Sequence, residues 1–380
     1  MAKHTMTDML QMQSLPLAAK IRMTANRINA WVDQFGEEGV YISFSGGKDS
    51  TVLLDIARNF CGYENIPAVF VDVPTQYPEL RDFAMSFKNV EILKPKISFM
   101  DVCSKYGFPL ISKEICEQVN GARKYLIKIA EEENKTPEEV LADREQLAEM
   151  LNEKMAGRKG GSNMRLAIML GMYTKDKAIQ ASVSKENKSG FSYERYSFLL
   201  HSEFQVSNRC CYVMKKKPAH EYYQKTKRVP ITGQTVDESN TRLRHWLAHG
   251  CNAFDEKIPI SNPMSFWTEQ DVLTYIHTYN LPICSIYGDV VIDYEAMGEL
   301  EGQTFLYETG AEPLKTTGCK RTGCMLCGFG CHLNNDTRFL QLKETHPKMY
   351  NLLDVVKNNG VTFREAIEWT NEHGNLDIKL

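Results

Sequence analysis

The chain has 380 residues, of which 43% are hydrophobic and 24% are charged. This length suffices for one large core or for a core with a smaller subdomain, and the composition is typical of a globular protein. The formal net charge of −3 argues against a molecule-wide electrostatic surface for nucleic acid. The N-terminus has no basic segment followed by an apolar run, and no apolar run approaches the ~20 residues that span a bilayer. We therefore expect a cytoplasmic protein without membrane association.

Hydrophobic periodicity predicts alternating helices and strands. Apolar side chains at helical spacing predict a helix over residues 15–35, and a second helix is predicted over residues 50–60. Short β-branched and apolar runs predict strands at residues 40–44, 66–73, 90–93 and 229–233. Strands and helices that alternate in this way predict an α/β fold with a doubly wound, mostly parallel sheet of the Rossmann-like kind.

The middle of the chain differs from this pattern. Residues 113–180 are rich in Glu, Lys, Ala and Leu and contain no convincing strand, and residues 157–162 form a Gly-rich run. We interpret the segment as a helical insertion with a hinge. Charge-rich helices of this kind usually form a solvent-exposed face, and the alternative is a lid over the active site.

Three further helices are predicted toward the C-terminus. Residues 265–279 form a helical pattern in which Thr268 is a suitable N-cap. Residues 337–357 and 362–372 are also helical in pattern. The predicted organisation is a nucleotide-binding half at 1–112, the helical insertion at 113–200, the second half of the α/β core at 201–300, and a Cys-rich helical segment at 301–380.

A Gly-rich loop stands where the first strand passes into a helix. It consists of Ser45, Gly46, Gly47, Lys48, Asp49 and Ser50. Glycines let the backbone turn tightly beside a ligand, and the amides at a helix N-terminus favour phosphate. The Walker A spacing is absent. The loop therefore predicts a phosphate-binding site of another kind, to which Lys48, Ser45 and Ser50 can add direct contacts.

Eleven cysteines in a reducing compartment do not suggest disulfides. Cys319, Cys324, Cys327 and Cys331 form a C-x4-C-x2-C-x3-C array, and Cys210 and Cys211 are adjacent. Thiolates at such spacings can converge on one metal centre, and both zinc and an iron–sulfur cluster accept them. The residues alone leave that choice open.

These motifs resemble the PP-loop superfamily, and within it the sulfonucleotide reductases that act on phosphoadenosine phosphosulfate (PAPS) or adenylylsulfate. The phosphate loop resembles the SGGxDS signature of that superfamily, and the tandem cysteines resemble those of adenylylsulfate reductases. Residues 231–233 (ITG), followed by Asp237, Ser239 and Arg242, are similar to a further reductase segment. Together with Asn262-Pro263 and Trp267-Thr268, the similarity extends over roughly residues 20–110 and 205–330.

The resemblance implies an adenine nucleotide alpha hydrolase-like fold and specific site residues. It implies that the phosphate loop and Gly233 bind ATP or an adenosine phosphosulfate, with Lys48, Asp49 and Arg242 in catalytic roles and Asp49 holding Mg²⁺. It also implies a [4Fe–4S] cluster, with Zn²⁺ as the alternative metal. The predicted metal ligands are Cys210, Cys211, Cys319, Cys324 and Cys327, of which Cys319 can replace one of the tandem pair.

Two departures separate this chain from the reductases. Their Glu-Cys-Gly-Leu-His tail is replaced by HGNLDIKL, so the usual thiol nucleophile is expected to be missing unless Cys331 substitutes. Their basic residues after the ITG segment are replaced by Gln234 and Thr235, which leaves Arg242 and Arg244 as phosphate contacts. Both departures favour the ATP-using branch, which resembles DndC-like proteins and cluster-bearing tRNA thiolases.

Three functions follow as hypotheses. The first is an ATP pyrophosphatase that adenylates an acceptor for sulfur insertion; that acceptor could be nucleic acid, because residues 209–228 are strongly basic. The second is a sulfonucleotide reductase-like enzyme, and the third is a nucleotide- and redox-sensing subunit of a partner complex. A sulfur-donor protein is an expected partner of the first, and an oligomer is compatible with all three.

Overall fold

The computed structural model describes residues 3–155, 162–172, 193–296, 312–333 and 336–380. Apart from Ser162, the predicted hinge lies outside the described residues. The chain divides into two compact units, Met1–Pro95 with Lys215–Cys324 and Lys96–Met214 with Met325–Leu380. Among the helices of the described ranges, none is long and apolar enough to cross a membrane.

The strands of the described residues are, in chain order, β1 (Val40–Ser43), β2 (Ala68–Val71), β3 (Val90–Leu93), β4 (Leu110–Ile111), β5 (Val229–Thr232), β6 (Asn252–Ala253), β7 (Ile260–Ser261), β8 (Val290–Ile292), β9 (Leu314–Thr316), β10 (Gly328–Phe329), β11 (Lys357–Asn358) and β12 (Val361–Thr362).

The α-helices are α1 (Met6–Gln13), α2 (Leu17–Phe35), α3 (Lys48–Asp55), α4 (Pro78–Met85), α5 (Phe99–Tyr106), α6 (Lys113–Glu133), α7 (Pro137–Ala142), α8 (Arg144–Met155), α9 (Ser162–Met169), α10 (Arg209–Cys211), α11 (Lys217–Thr226), α12 (Asn240–His249), α13 (Glu269–Thr278), α14 (Arg338–Thr345), α15 (Pro347–Tyr350) and α16 (Phe363–Gly374). A π-helical turn follows α3 at Ile56–Phe60, and another joins α10 to α11 at Tyr212–Lys216.

The first unit contains a six-stranded sheet with the order β3-β2-β1-β5-β7-β6. Its neighbouring strands are parallel, except for the antiparallel pair β6 and β7. The mostly parallel α/β sheet predicted from the sequence is therefore confirmed. The chain proceeds outward from β1 through β2 and β3, then returns to the other side of β1 as β5. The carboxyl ends of β1 and β5 thus meet at a topological switch point, where such sheets bind ligands.

The core of the first unit forms because its strands are apolar on both faces, as parallel strands covered by helices must be. Ile42 of β1 and Phe70 of β2 are buried together with Trp31 of α2 and Trp267. The indole N–H of Trp267 donates a hydrogen bond to the Thr24 hydroxyl at 2.9 Å, so its polar atom is satisfied inside the core.

The N-terminus of α13 agrees with the sequence prediction, whereas the segment before α16 differs from it. Helix α13 begins after Thr268, whose hydroxyl accepts from the Asp271 amide in a capping box, as the sequence indicated. Residues 337–357 form two short helices and a 3-10 turn instead of one helix, and β11 and β12 then form an antiparallel hairpin. Asn359 and Gly360 between those strands have φ values of 51° and 86°. An Asn-Gly pair is the usual signal for such a turn, so this hairpin has a local cause in the sequence.

The second unit is largely helical. In the described part of residues 113–200 the regular elements are α6 to α9 and a 3-10 helix at Glu194–His201, in agreement with a helical segment. Arg123 of α6 donates to the backbone carbonyls of Leu199, Ser202 and Phe204, which secures the segment after the insertion. Strand β4 pairs in parallel with β10, so the Cys-rich segment is anchored to this unit by backbone hydrogen bonds.

Candidate functional site

The phosphate loop lies between β1 and α3, at the switch point of the sheet. Gly46 has a φ of 72°, and a Cβ there would lie 2.9 Å from the Leu80 carbonyl oxygen. A side chain at this position is therefore excluded both by backbone conformation and by space. Helix α3 begins immediately after Gly47, which directs its first-turn amides toward the loop.

Short side chains hold the loop in shape. The Ser45 amide donates to the Ser50 hydroxyl at 3.2 Å, and the Gly47 amide donates to the Ser45 hydroxyl at 3.3 Å. The Ser50 hydroxyl in turn donates to the Gly47 carbonyl at 2.9 Å. These contacts hold the backbone of the loop in the shape of a cradle.

Gly233, at the end of β5, closes one side of the cradle. A Cβ on Gly233 would lie 2.9 Å from the Asp49 carbonyl oxygen and 3.2 Å from the Ser50 Cα. Glycine thus allows the strand end to lie directly against the first turn of α3. The structure brings Gly233 and the phosphate loop together, as their predicted roles require.

Arg242 also belongs to this region of the first unit. Burial is the main cause that lowers the pKa of its guanidinium, the Asp49 carboxylate opposes that effect, and Arg321 adds to it. Arg242 forms an ion pair with Glu238 and donates to the Thr235 carbonyl at 3.4 Å. The same side chain lines a cavity of about 160 Å³ together with Gln234 and Thr235. Arg242 is therefore close enough to Asp49 for an electrostatic role.

Lys48 is 4% exposed and is already engaged by protein groups. Its ammonium donates to the Lys320 carbonyl at 3.0 Å and pairs with the Glu269 carboxylate at 3.2 Å. A buried ammonium needs such partners because desolvation is costly. Incoming phosphate oxygens would be the stronger partners for this cation.

The phenol of Tyr287 lies against the start of α3, a contact that no sequence motif predicts. The Lys48 amide donates to the Tyr287 oxygen at 3.3 Å, and the same oxygen shares a hydrogen bond of 2.8 Å with the Thr322 hydroxyl. Burial raises the pKa of Tyr287 to about 12. The phenol therefore stays neutral at physiological pH.

The loop between Cys319 and Cys324 adjoins the nucleotide cradle. Its Lys320 and Thr322 make the contacts to Lys48 and Tyr287 described above, and its Arg321 is an electrostatic neighbour of Arg242. The loop thus contributes three consecutive residues to the surroundings of the phosphate-binding residues.

The two cysteines themselves lie beside the turn that follows β2. Cys324 forms an antiparallel bridge with Gln76, and the Tyr77 side chain is hydrogen-bonded to Cys319. Burial is the main cause that raises the pKa of the Cys319 thiol. The side-chain oxygens of Thr75 and Gln76 are buried without a hydrogen-bond partner in the structure. Buried polar atoms of this kind are consistent with a polar ligand in this region.

The other predicted ligands, Cys210, Cys211 and Cys327, belong to the second unit. Burial chiefly raises the pKa of the nearby Cys116 thiol, and Cys327 and Cys211 raise it further through their charges. Cys211 and Cys327 therefore lie near the thiol of Cys116, a cysteine that stands alone in the sequence. The ligand atoms of Cys210, Cys211 and Cys327 do not all lie within 4.8 Å of one another among the described residues.

Cys331 is not suited to form a thiolate at neutral pH. It is 1% exposed, its thiol donates to the Cys327 carbonyl at 3.2 Å, and burial raises its pKa to about 12. Arg338 opposes that increase but does not cancel it. Nucleophilic attack needs an accessible thiolate, so Cys331 is not suited to act as a nucleophile in this conformation.

Two cations of the basic segment 209–228, Arg209 and Arg228, are engaged by neighbouring side chains. The Arg209 guanidinium lies 5.5 Å from the Tyr106 ring centre and 5.0 Å from that of Tyr212. Arg228 pairs with Glu91 at 3.0 Å and with Glu38 at 3.2 Å. These contacts reduce the positive charge offered to a nucleic acid, and that partner stays a prediction.

The parallel sheet and the glycine-rich cradle at its switch point define an α/β nucleotide-binding protein. The chain matches the family described as phosphoadenosine phosphosulfate reductase domain over residues 39–135 and 158–328. It therefore belongs to the PAPS reductase domain family.

Two further comparisons accompany that match. A crystal structure of PAPS reductase from Candida auris, in its phosphate complex, is similar at 12% sequence identity and a TM-score of 0.33. That alignment covers 74% of this chain and 91% of the other. No curated protein matches the sequence.

Proposed function

We propose that this protein is an adenine-nucleotide-binding enzyme that splits ATP to pyrophosphate and an adenylated intermediate for sulfur transfer. The observation that carries the proposal is the contact between the phosphate loop and the Cys319–Cys324 loop. Lys48 is 3.0 Å from the Lys320 carbonyl, and Tyr287 links the start of α3 to Thr322. A phosphate cradle and two thiols thus border the same site in the first unit.

The charges around the cradle suit cleavage between the α- and β-phosphates. Lys48 and the amides of the first turn of α3 would bind the leaving pyrophosphate, and Arg242 would stabilise charge on the α-phosphate. The carboxylate of Asp49 is the oxygen ligand that Mg²⁺ prefers, and the ion would neutralise phosphate charge when bound. Catalysis would come from positioning and electrostatics, since the protein forms no covalent bond to ATP.

The proposed reaction has two displacements. An oxygen of the acceptor attacks the α-phosphorus, the bond to the β-phosphate oxygen breaks, pyrophosphate leaves, and the acceptor proton passes to solvent. Hydrosulfide from a sulfur-donor protein then attacks the activated carbon, and AMP leaves with the electrons of the carbon–oxygen bond. No oxidant or reductant is consumed in either step.

The cysteines are proposed to hold a [4Fe–4S] cluster, with Zn²⁺ as the alternative. The predicted ligands are Cys210, Cys211, Cys324 and Cys327, and Cys319 is the replacement for one of the tandem pair. Such a cluster would supply iron that can bind sulfide. The donor set consists of thiols, which both metals accept. Iron and zinc analysis of anaerobically purified protein distinguishes the two.

A sulfonucleotide reductase-like activity is the alternative, and the family match favours it, since the family takes its name from PAPS reduction. That chemistry needs a nucleophilic thiolate. Cys331 is buried with its pKa raised to about 12, so the thiol would have to come from another residue or from a partner protein. The neutral Gln234 and Thr235 beside Arg242 also provide no cation for the phosphosulfate. Because of these two observations we rank the adenylating reaction first.

A third alternative, a non-catalytic nucleotide- and redox-sensing subunit, shares the same binding site. Turnover of the nucleotide distinguishes this sensing subunit from the two enzymatic functions. ATP labelled at the α- and γ-phosphates should yield labelled AMP and labelled pyrophosphate when incubated with Mg²⁺, with water as a slow acceptor. Asp49→Asn should abolish the products while nucleotide binding without Mg²⁺ persists. Binding without either product in the wild-type protein would favour the sensing subunit.

A further inference from the structure

His245 and His249 form a cluster with Glu256 outside the phosphate site. The two histidines lie one turn apart on the last turns of α12, and Glu256 follows Asp255 in the loop between β6 and β7. Each side chain offers one ligand atom, and the three atoms lie within 4.8 Å of one another. All three side chains are partly exposed, at 28–33%. An ion from solvent could therefore reach them.

The separations of the three ligand atoms are short enough for them to share one ion. The Glu256 carboxylate oxygen is 2.9 Å from Nε2 of His245 and 3.6 Å from Nε2 of His249. In a tetrahedral zinc site with bonds of about 2.0–2.1 Å, neighbouring ligand atoms are about 3.3 Å apart. The two observed separations lie on either side of this value. Small side-chain rotations would bring the ligands to bonding distance.

Asp255 orients one of the histidines as a metal ligand requires. Its carboxylate is 3.2 Å from Nδ1 of His249, which leaves Nε2 of that ring facing Glu256. Lys3 pairs with the same carboxylate at 3.1 Å. Histidine ligands of zinc usually have their second nitrogen hydrogen-bonded to a carboxylate in this way, which fixes the tautomer and increases ligand basicity.

We propose that His245, His249 and Glu256 bind a divalent transition-metal ion, with Zn²⁺ as the expected occupant. Two imidazoles and one carboxylate form a donor set that zinc accepts, and a fourth position stays open for water. The ion would join the C-terminal turn of α12 to the β6–β7 loop. Arg242 lies on the same helix, and His245 lines the same 160 Å³ cavity as Arg242. The site would therefore fix the helix that positions this guanidinium.

The test must distinguish zinc bound by the cysteines from zinc bound by His245, His249 and Glu256. Full-length protein is dialysed against buffered Zn²⁺, and the zinc content is measured for the wild type and for the His245→Ala/His249→Ala double variant. The matched control is His220→Ala/His277→Ala, which removes two imidazoles outside the cluster. We expect one equivalent less in the first double variant and no change in the second. Equal zinc content in all three proteins would overturn the proposal.

Three further measurements decide the proposal if the double variant is unstable. Glu256→Gln retains the shape of the side chain and should also lose the equivalent. Asp255→Asn should weaken zinc binding by about 10–100-fold without abolishing it, because it acts through the orientation of His249. In crystals soaked with Zn²⁺, we expect an anomalous-scattering peak within bonding distance of His245, His249 and Glu256. A peak only at the cysteines would contradict the site.

Discussion

The Tyr287 phenolic oxygen accepts a hydrogen bond from the Lys48 amide at 3.3 Å, at the point where the phosphate loop becomes a helix. Through its 2.8 Å contact with the Thr322 hydroxyl, this phenol connects the nucleotide cradle to the Cys319–Cys324 loop. The two motifs that the sequence displays most clearly are thus joined by a residue that belongs to neither.

Removal of the phenolic oxygen tests this connection. Tyr287→Phe leaves the Lys48 amide and the Thr322 hydroxyl without their partner, so the free energy of unfolding should fall by about 1–2 kcal/mol. Because burial raises the pKa of Tyr287 to about 12, the stability that the neutral phenol contributes should be constant below pH 10. It should fall as the pH rises toward 12, since the tyrosine of the unfolded chain ionises first. Urea denaturation from pH 7 to 10 should show a constant difference between the two proteins. A difference that disappears at pH 8 would contradict the assignment.

Substitution of Lys48 should impair the use of the nucleotide, whereas substitution of its partner Glu269 should strengthen nucleotide binding. Lys48→Met removes a cation that donates hydrogen bonds to phosphate, and the rate of pyrophosphate release should fall by on the order of 100-fold or more. Glu269→Gln frees the ammonium from a competing carboxylate, which is 49% exposed. Exposed ion pairs contribute less than about 1 kcal/mol, so nucleotide affinity should rise by less than about fivefold. A pyrophosphate assay measures the first change and calorimetric titration with ATP measures the second. Weaker binding by Glu269→Gln would be inconsistent with this competition.

The close approach of β5 to α3 can be tested with a single methyl group. Gly233→Ala places a Cβ 2.9 Å from the Asp49 carbonyl oxygen, and a backbone atom cannot move aside as a side chain can. We expect a loss of about 1–3 kcal/mol in the free energy of unfolding and a large loss of nucleotide affinity. The matched control is Gly323→Ala, whose Cβ would have no neighbour within 4 Å. If both variants bind ATP equally well, Gly233 does not border the site.

The start of α13 is secured by a buried ion pair. Lys20 is 2% exposed, and its ammonium lies 2.6 Å from the Asp271 carboxylate, which also accepts from the Thr268 amide and hydroxyl. Asp271→Ala should lower the free energy of unfolding by about 3–5 kcal/mol, because it leaves a buried ammonium unpaired and removes the cap. Lys20→Met should cost less, since Asp271 keeps its Thr268 contacts. Chemical denaturation of both variants checks the order.

Cys331 should resist alkylation in the folded protein. Its pKa is raised from 9.0 to about 12, so its thiolate fraction at pH 8 is lower by on the order of 1,000-fold. Iodoacetamide labelling, read by peptide mass spectrometry, should be slow at pH 8 and increase as the pH is raised. The same peptide in urea provides the control. Rapid labelling of native Cys331 at pH 8 would restore it as a candidate reductase nucleophile.

The parts of the fold that the sequence predicted are those with local signals. The phosphate loop and β1 are contiguous, and Thr268 with Asp271 forms a cap within four residues. Such patterns depend on neighbours in the chain, so they survive without knowledge of the tertiary structure.

The contacts that were not predicted join residues far apart in the chain. Tyr287 meets Lys48 across 239 positions, and an isolated tyrosine carries no signal for such a contact. His245 and Glu256 likewise converge only because α12 and the β6–β7 loop are brought together by packing. The burial of Cys331 also depends on packing, and its sequence pattern alone made it look like a ligand or a nucleophile.

The most direct test compares two substrates on one anaerobic preparation. The protein is incubated with Mg²⁺ and ATP labelled at the α- and γ-phosphates, and separately with a ³⁵S-labelled adenosine phosphosulfate and a thiol donor. We expect labelled AMP and pyrophosphate from ATP and no sulfite from the phosphosulfate. Sulfite from the phosphosulfate, with no pyrophosphate from ATP, would contradict the adenylating function and establish the reductase alternative.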